Sequence, residues 1–183
     1  MRNLLKAVVM TVTVGTSLMA SEAIEFYAGG GLAIEAVPNQ DGLSMGTGIV
    51  LRGGMNFNEV LEGFGAEVEL SKSLIHPEYS YVGGGTKKIN VFTMAAYAVY
   101  RIKIVDEFYV KPRFGLILPN LGDSNDDIAK GWGNEGWVNS RDVTFSSGIG
   151  AGYTVMEHLD VYLDYTVMGE NVTNYGAGVE WHF

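Results

Sequence analysis

YGAGVEWHF, residues 175–183, is the stretch from which the fold is read. Tyr175, Ala177, Val179, Trp181 and Phe183 fall on one side of a two-residue period, and Gly176, Gly178, Glu180 and His182 on the other. Successive side chains of an extended strand point to opposite faces, so this spacing describes a strand with one apolar, aromatic face and one small, polar face. Free ends normally fray into solvent. Alternation that persists to Phe183 predicts an end held in place by its surroundings.

The same period recurs upstream. Ile24, Phe26, Ala28, Gly30, Leu32 and Ile34 alternate with Glu25, Tyr27, Gly29, Gly31, Ala33 and Glu35. Similar segments cover residues 49–57, 64–71, 88–104, 108–118, 143–153 and 159–167, and the terminal strand brings the number to eight. In the 88–104 segment two sets compete, and Phe92, Met94, Ala96, Ala98, Tyr100 and Ile102 are taken as the apolar face over Tyr97 and Val99. Pro112 interrupts the next one, which predicts a bulge or a locally missing ladder bond.

The links alternate in length. Short ones fall around residues 58–62, 105–106 and 156–158, and longer polar ones around 37–43, 73–87, 119–141 and 169–171. Short and long links therefore sit at opposite ends of one sheet, with both mature termini at the short-turn end. Even strand number, short turns at one end and longer loops at the other describe an all-β, eight-stranded antiparallel up-and-down transmembrane barrel. The segments also have the ~9–11 residues that a tilted strand needs to cross a bilayer.

A soluble barrel would show the same period turned inside out. Charge decides the direction: Glu25, Glu35, Arg52, Glu67, Glu69, Lys111, Arg113, Asp142, Asp160, Asp164 and Glu180 all lie on the face opposite the apolar one. An eight-stranded barrel has room for side chains inside and little else, so these charges must pair with one another. The apolar face ends, at the short-turn side, in Phe26, Phe57, Phe64, Tyr100, Phe108 and Tyr153 beside Trp181 and Phe183, the pattern of an interfacial aromatic girdle.

Arg2 and Lys6, the uncharged run of residues 7–20 and Ser21-Glu22-Ala23 form a signal peptide, so residues 1–23 are read as exported leader and 24–183 as one barrel domain. The run is shorter than the ~20 residues of a spanning helix. The chain has 12 bases and 21 acids; without Arg2, Lys6 and Glu22 these become 10 and 20, an excess of ten acids that argues against nucleic acid or an anionic surface as partner. With Cys 0, disulfides, thiolate metal sites and cysteine nucleophiles are excluded.

The terminal strand, through Tyr175, Val179, Trp181 and Phe183, resembles the insertion signal of bacterial outer-membrane barrels. Residues 24–183 as a whole resemble the small eight-stranded barrels of the OmpA, OmpX and opacity-protein type. That resemblance implies an outer-membrane protein of a Gram-negative-type envelope, surrounded by outer-membrane lipid. It also implies recognition by the barrel-assembly machinery during insertion, periplasmic termini and four loops outside the cell. Such barrels carry different functions in their loops.

Among candidate sites, folding residues 49–71 into a hairpin brings Arg52 level with Glu67 and Glu69, with Lys111, Arg113 and Asp164 at similar height. This predicts a central ion-pair network that fills the lumen. If Arg101 and Lys103 also point inward, eight acids face five bases, so a conducting form would favour cations. Trp132 and Trp137 in one loop, and Tyr79 and Tyr81 in another, are candidates either for binding an extracellular ligand or for anchoring at the membrane interface.

Asp123-Ser124-Asn125-Asp126-Asp127 is acidic, but Ile128 and Asn134 stand where a calcium loop of the EF-hand type needs Gly and Glu, so no metal is expected there. Of the histidines, His158 and His182 fall at the short-turn end and read as exposed or interfacial. His76 lies at the loop end without a recognisable catalytic set. The sequence thus predicts a monomer without cofactor or catalytic residues, with a structural or surface-interacting role, including adhesion. A narrow cation-preferring channel is the alternative, and a lipid A-modifying enzyme a third.

Overall fold

The register between neighbouring strands closes the sheet on itself. The computed structural model describes residues 24–39, 42–58, 60–81, 85–123, 143–168 and 172–183. Its strands are β1 (Glu25–Asn39), β2 (Gly42–Asn56), β3 (Phe64–Ile75), β4 (Glu78–Tyr81), β5 (Gly85–Tyr100), β6 (Ile102–Lys103), β7 (Phe108–Asp123), β8 (Thr144–Met156), β9 (Leu159–Met168) and β10 (Val172–His182). The order β5-β3-β2-β1-β10-β9-β8-β7 is closed by a β5–β7 pairing, giving eight antiparallel strands. The two short strands are additions to this ring: β4 pairs with β5 above it, and β6 with β7 below. Closure leaves the ring without an open edge, the condition for spanning a bilayer with strands.

The first and last strands meet at the seam, where Tyr27 pairs with His182 and Gly31 with Gly178, and the Phe183 amide donates to Phe26 O at 2.8 Å. The terminal strand is held as its pattern predicts. Tyr175, Val179, Trp181 and Phe183 all point outward and are exposed, as are Leu163 and Val161 on β9. Arg52, Glu67 and Asp164 point inward and are buried. In the 88–104 region, Met94 and Tyr100 face outward while Tyr97 and Val99 are buried inside.

At the short-turn end the girdle residues are neighbours around the ring. Phe64 pairs with Tyr100 and Phe108 with Tyr153; the Phe57 and Phe64 rings lie 6.0 Å apart, and Phe26 sits next to the seam. The tight turn before β3 is made by Gly63 at φ 80°, a conformation L side chains resist, with its amide donating to Asn58 Oδ1.

Pro112 produces the second of its two expected outcomes. The register is the same on either side of it, Val99↔Arg113 and Ile102↔Val110, so there is no bulge. The intervening Tyr100 and Arg101 do not pair with β7, and the Arg101 amide bonds Gly63 O on the other side. A proline nitrogen has no hydrogen to offer the ladder, and the gap falls where it sits.

Three links expected to be loops are strand over part of their length, the 119–141 link because β7 runs on to Asp123 in register with β5. Residues 37–39 continue β1 and residues 42–43 begin β2, with Val37 opposite Ser44 and Asn39 opposite Gly42. Of residues 73–87, β3 takes the start, and β4 and β5 form a hairpin with Glu78 opposite Lys88. Apolar alternation marks only the part of a strand that faces hydrocarbon, whereas the backbone still gains from pairing beyond it. Tyr79 and Tyr81 therefore belong to β4. Trp132, Trp137, residues 124–127 of the acidic stretch and residues 1–23 lie outside the described residues.

Candidate functional site

The centre of the lumen is filled by three cations and four carboxylates from five strands. Arg52 of β2 bonds Glu69 at 3.0 Å, Glu180 at 3.3 Å and also Asp164. Arg113 of β7 reaches Glu67 at 3.1 Å, Glu69 at 2.6 Å, Asp164 at 3.6 Å and the Thr166 hydroxyl. Lys111, two residues away on the same face, joins Glu67 at 2.9 Å to Glu180 at 2.7 Å. All six residues singled out from the sequence meet here, each with its side chain nearly inaccessible. Glu180 is the member that the hairpin argument missed, because it comes from the strand that closes the barrel.

Each cation also lies over a tyrosine ring: Arg52 on Tyr162 at 4.0 Å, Arg113 on Tyr97 at 4.7 Å, Lys111 on Tyr27 at 5.1 Å and Arg101 on Tyr109 at 3.6 Å. Behind the tyrosines are glycines. Tyr27 pairs with Gly54, Tyr97 with Gly115, Tyr109 with Gly152 and Tyr162 with Gly178. A methyl group on Gly54 or Gly152 would lie 2.3 or 2.1 Å from the tyrosine ring, so these glycines are what allow the rings to lie against the wall. A glycine, a tyrosine ring and a cation are thus stacked three times around the lumen, at Tyr27, Tyr109 and Tyr162, and all four rings add ring-face attraction to the ion pairs. The sequence signal was an inward tyrosine opposite an inward glycine, legible only with the register known.

Below this lies a second cluster, at the short-turn mouth. His182 is buried, contrary to the exposed or interfacial position expected from its place near the end: β10 turns it inward, where its ring stacks on Tyr27 at 5.6 Å. Its Nδ1 faces Glu25 at 2.9 Å and its Nε2 faces Asp160 at 3.1 Å, while Arg101 donates to Asp160 at 2.7 Å. His158 is exposed, with its ring 5.9 Å from Trp181. Lys103 is exposed too, so of the two extra bases considered only Arg101 enters the lumen. Asp142 lies outside the described residues.

Above the centre, Glu35 is completely buried and has no cation among the described residues. Ser71 donates to its Oε1 at 3.2 Å, and its Oε2 has no partner. The other inward carboxylates named here each touch Lys, Arg or His. An uncompensated buried charge is destabilising. Glu35→Gln is therefore expected to raise the unfolding free energy by about 1 kcal/mol at mildly alkaline pH, whereas Glu69→Gln lowers it. Urea unfolding in detergent micelles measures both, and a loss on Glu35→Gln would mean that the carboxylate has a cation after all.

A closed eight-stranded ring with hydrocarbon side chains outside and an ionised axis is an architecture shared with known proteins. Residues 6–183 match the family described as outer membrane protein beta-barrel domain. The chain belongs to this family. It is an outer-membrane barrel protein. No curated protein sequence matches it.

Solved structures agree on the fold. Neisserial surface protein A is 18% identical with a TM-score of 0.59, over 86% of this chain and 97% of that one. OprG of Pseudomonas aeruginosa is 14% identical with a TM-score of 0.60, over 88% and 96%. Ail, the attachment invasion locus protein of Yersinia pestis, solved with the heparin analogue sucrose octasulfate, is 14% identical with a TM-score of 0.58, over 87% and 99%. At these identities the likeness extends to the fold alone.

Proposed function

We propose that this outer-membrane barrel is a non-enzymatic, monomeric scaffold that presents its long-loop end to the outside of the cell for structural or adhesive contacts. Its termini and short turns then face the periplasm. The observation that carries this reading is the filled lumen: Arg52, Lys111 and Arg113 are committed to Glu67, Glu69, Asp164 and Glu180 across the whole width of the ring. Groups bound so tightly to each other are poorly placed to pass solutes, which leaves the segments beyond the membrane as the working surface.

Partner chemistry follows from charge. Ail provides a precedent for attachment on this fold, with a sulfated ligand. The present chain carries a net charge of −9 and suits a neutral or basic partner better than a polyanion. Cells displaying the barrel are expected to adhere to basic or neutral matrix proteins and not to heparin. Deleting residues 124–140 is expected to abolish the adhesion while the barrel still inserts. Adhesion that survives removal of each long loop in turn would sink the reading.

The second reading, a narrow cation-preferring channel, is favoured by one feature. Seven inward carboxylates (Glu25, Glu35, Glu67, Glu69, Asp160, Asp164 and Glu180) face four permanent cations (Arg52, Arg101, Lys111 and Arg113) among the described residues. Planar-bilayer recording decides between the two: the plugged barrel is expected to show no resolved steps, and regular cation-selective steps would establish the channel instead.

A further inference from the structure

The cluster at the short-turn mouth has the parts of a metal site. Asp160, Glu180 and His182 each offer a ligand atom, these atoms lie within 4.8 Å of one another, and all three residues are buried. Bonds of about 2.0–2.2 Å from one zinc ion hold ligand atoms no more than about 4.4 Å apart, so the three side chains draw in slightly around the ion when it binds.

Two further features point to a ligand. The first is the histidine's other nitrogen. Metal-binding imidazoles characteristically give their second ring nitrogen to a carboxylate, which fixes the ring and raises its basicity. Here Nδ1 is held by Glu25 at 2.9 Å, leaving Nε2 directed at Asp160, and stacking on Tyr27 holds the ring plane. The second is Tyr109. Its ring lies under Arg101, which donates to Asp160, and its buried hydroxyl lies beside Asp160 without a well-aligned hydrogen bond among the described residues.

We propose that His182, Asp160 and Glu180 bind a single divalent transition metal of the zinc class, with Glu25 orienting the histidine from behind. A mixed set of one imidazole and two carboxylates favours zinc over calcium or magnesium, which take oxygen alone. Metal reaches the site from the mouth, where the Glu25 side chain is 39% exposed. On binding, the ion takes the place of the direct His182–Asp160 contact. It ties β9 to β10 and, through Glu25, to β1, so it reinforces the seam at which the barrel closes. Arg101, Lys111 and Arg52, already paired with Asp160 and Glu180, compete with the ion and limit its affinity.

The test uses the full mature barrel, folded in detergent micelles and checked for heat-modifiable migration. Equilibrium dialysis against zinc chloride is expected to give one ion per chain, removable by chelator. Zinc is also expected to raise the temperature of the folded-to-unfolded migration shift. Asp160→Asn and His182→Ala should weaken binding and abolish the shift. Glu25→Gln, which leaves all three ligands in place, should weaken binding 10- to 100-fold, the range typical for loss of an outer-shell partner. His158→Ala and His76→Ala should bind as the parent does. Should His182→Ala fail to fold, Glu25→Gln and Asp160→Asn still decide. Zinc binding unchanged in those two variants, or no stoichiometric binding by the parent barrel, overturns the proposal.

Discussion

Arg113→Ala is expected to lower the unfolding free energy of the barrel by about 3–5 kcal/mol, the range for removing one partner from a buried ion pair. The loss comes chiefly from what remains. Arg113 serves Glu67, Glu69 and Asp164, and its guanidinium also meets Thr166 and the Tyr97 ring. Without it, Arg52 and Lys111 must compensate four carboxylates inside a lumen that water barely enters. Reversible urea unfolding in lipid vesicles, followed by tryptophan fluorescence, measures the change. A loss below about 1 kcal/mol, the scale of a solvated surface pair, would show that the centre of the barrel is wet and the plug loose.

The second large effect concerns the other face. Leu163→Arg is expected to cost about 2–4 kcal/mol, because a charge then lies at the middle of the hydrocarbon layer. Leu163 points outward, is 66% exposed and sits one residue from Asp164 of the central network, at mid-height of β9. Leu74→Arg, on the same outer face but next to the loop end of β3, is expected to cost about 0–1 kcal/mol, since the penalty falls away towards the interface. Lys72, two residues before it, already places an outward charge near that level. Equal effects of the two substitutions would contradict a bilayer around the barrel, because water imposes no depth dependence.

These two experiments probe opposite faces of the same barrel wall, and the division between the faces was written in the sequence. Residue polarity at spacing two fixes which side chains share a face whatever the fold becomes, so Leu163 and Asp164 were separable by reading alone. The strand ends were not. Residues 37–39 and 42–43 carry no apolar alternation, yet they pair, because backbone groups seek partners whether or not a membrane lies alongside.

Partnership inside the lumen was partly legible. Arg52 with Glu69 follows from a local hairpin, only 17 residues apart. Arg52 with Glu180 spans 128 positions, and His182 with Glu25 spans 157. Such pairs depend on how the ring closes and on the stagger of its strands. The same holds for the tyrosines laid over glycines, and for the solitary carboxylate of Glu35.

By itself, then, the sequence determined the number of membrane-crossing segments, the face of each that meets lipid, and the need for the inward charges to find each other. These are consequences of local geometry and of the difference between hydrocarbon and water. Only the tertiary structure decided which charges meet across distant strands, that His182 lies between Glu25 and Asp160, and that Glu35 has no cation among the described residues. Those depend on register across a closed seam, a long-range quantity that no stretch of neighbouring residues encodes.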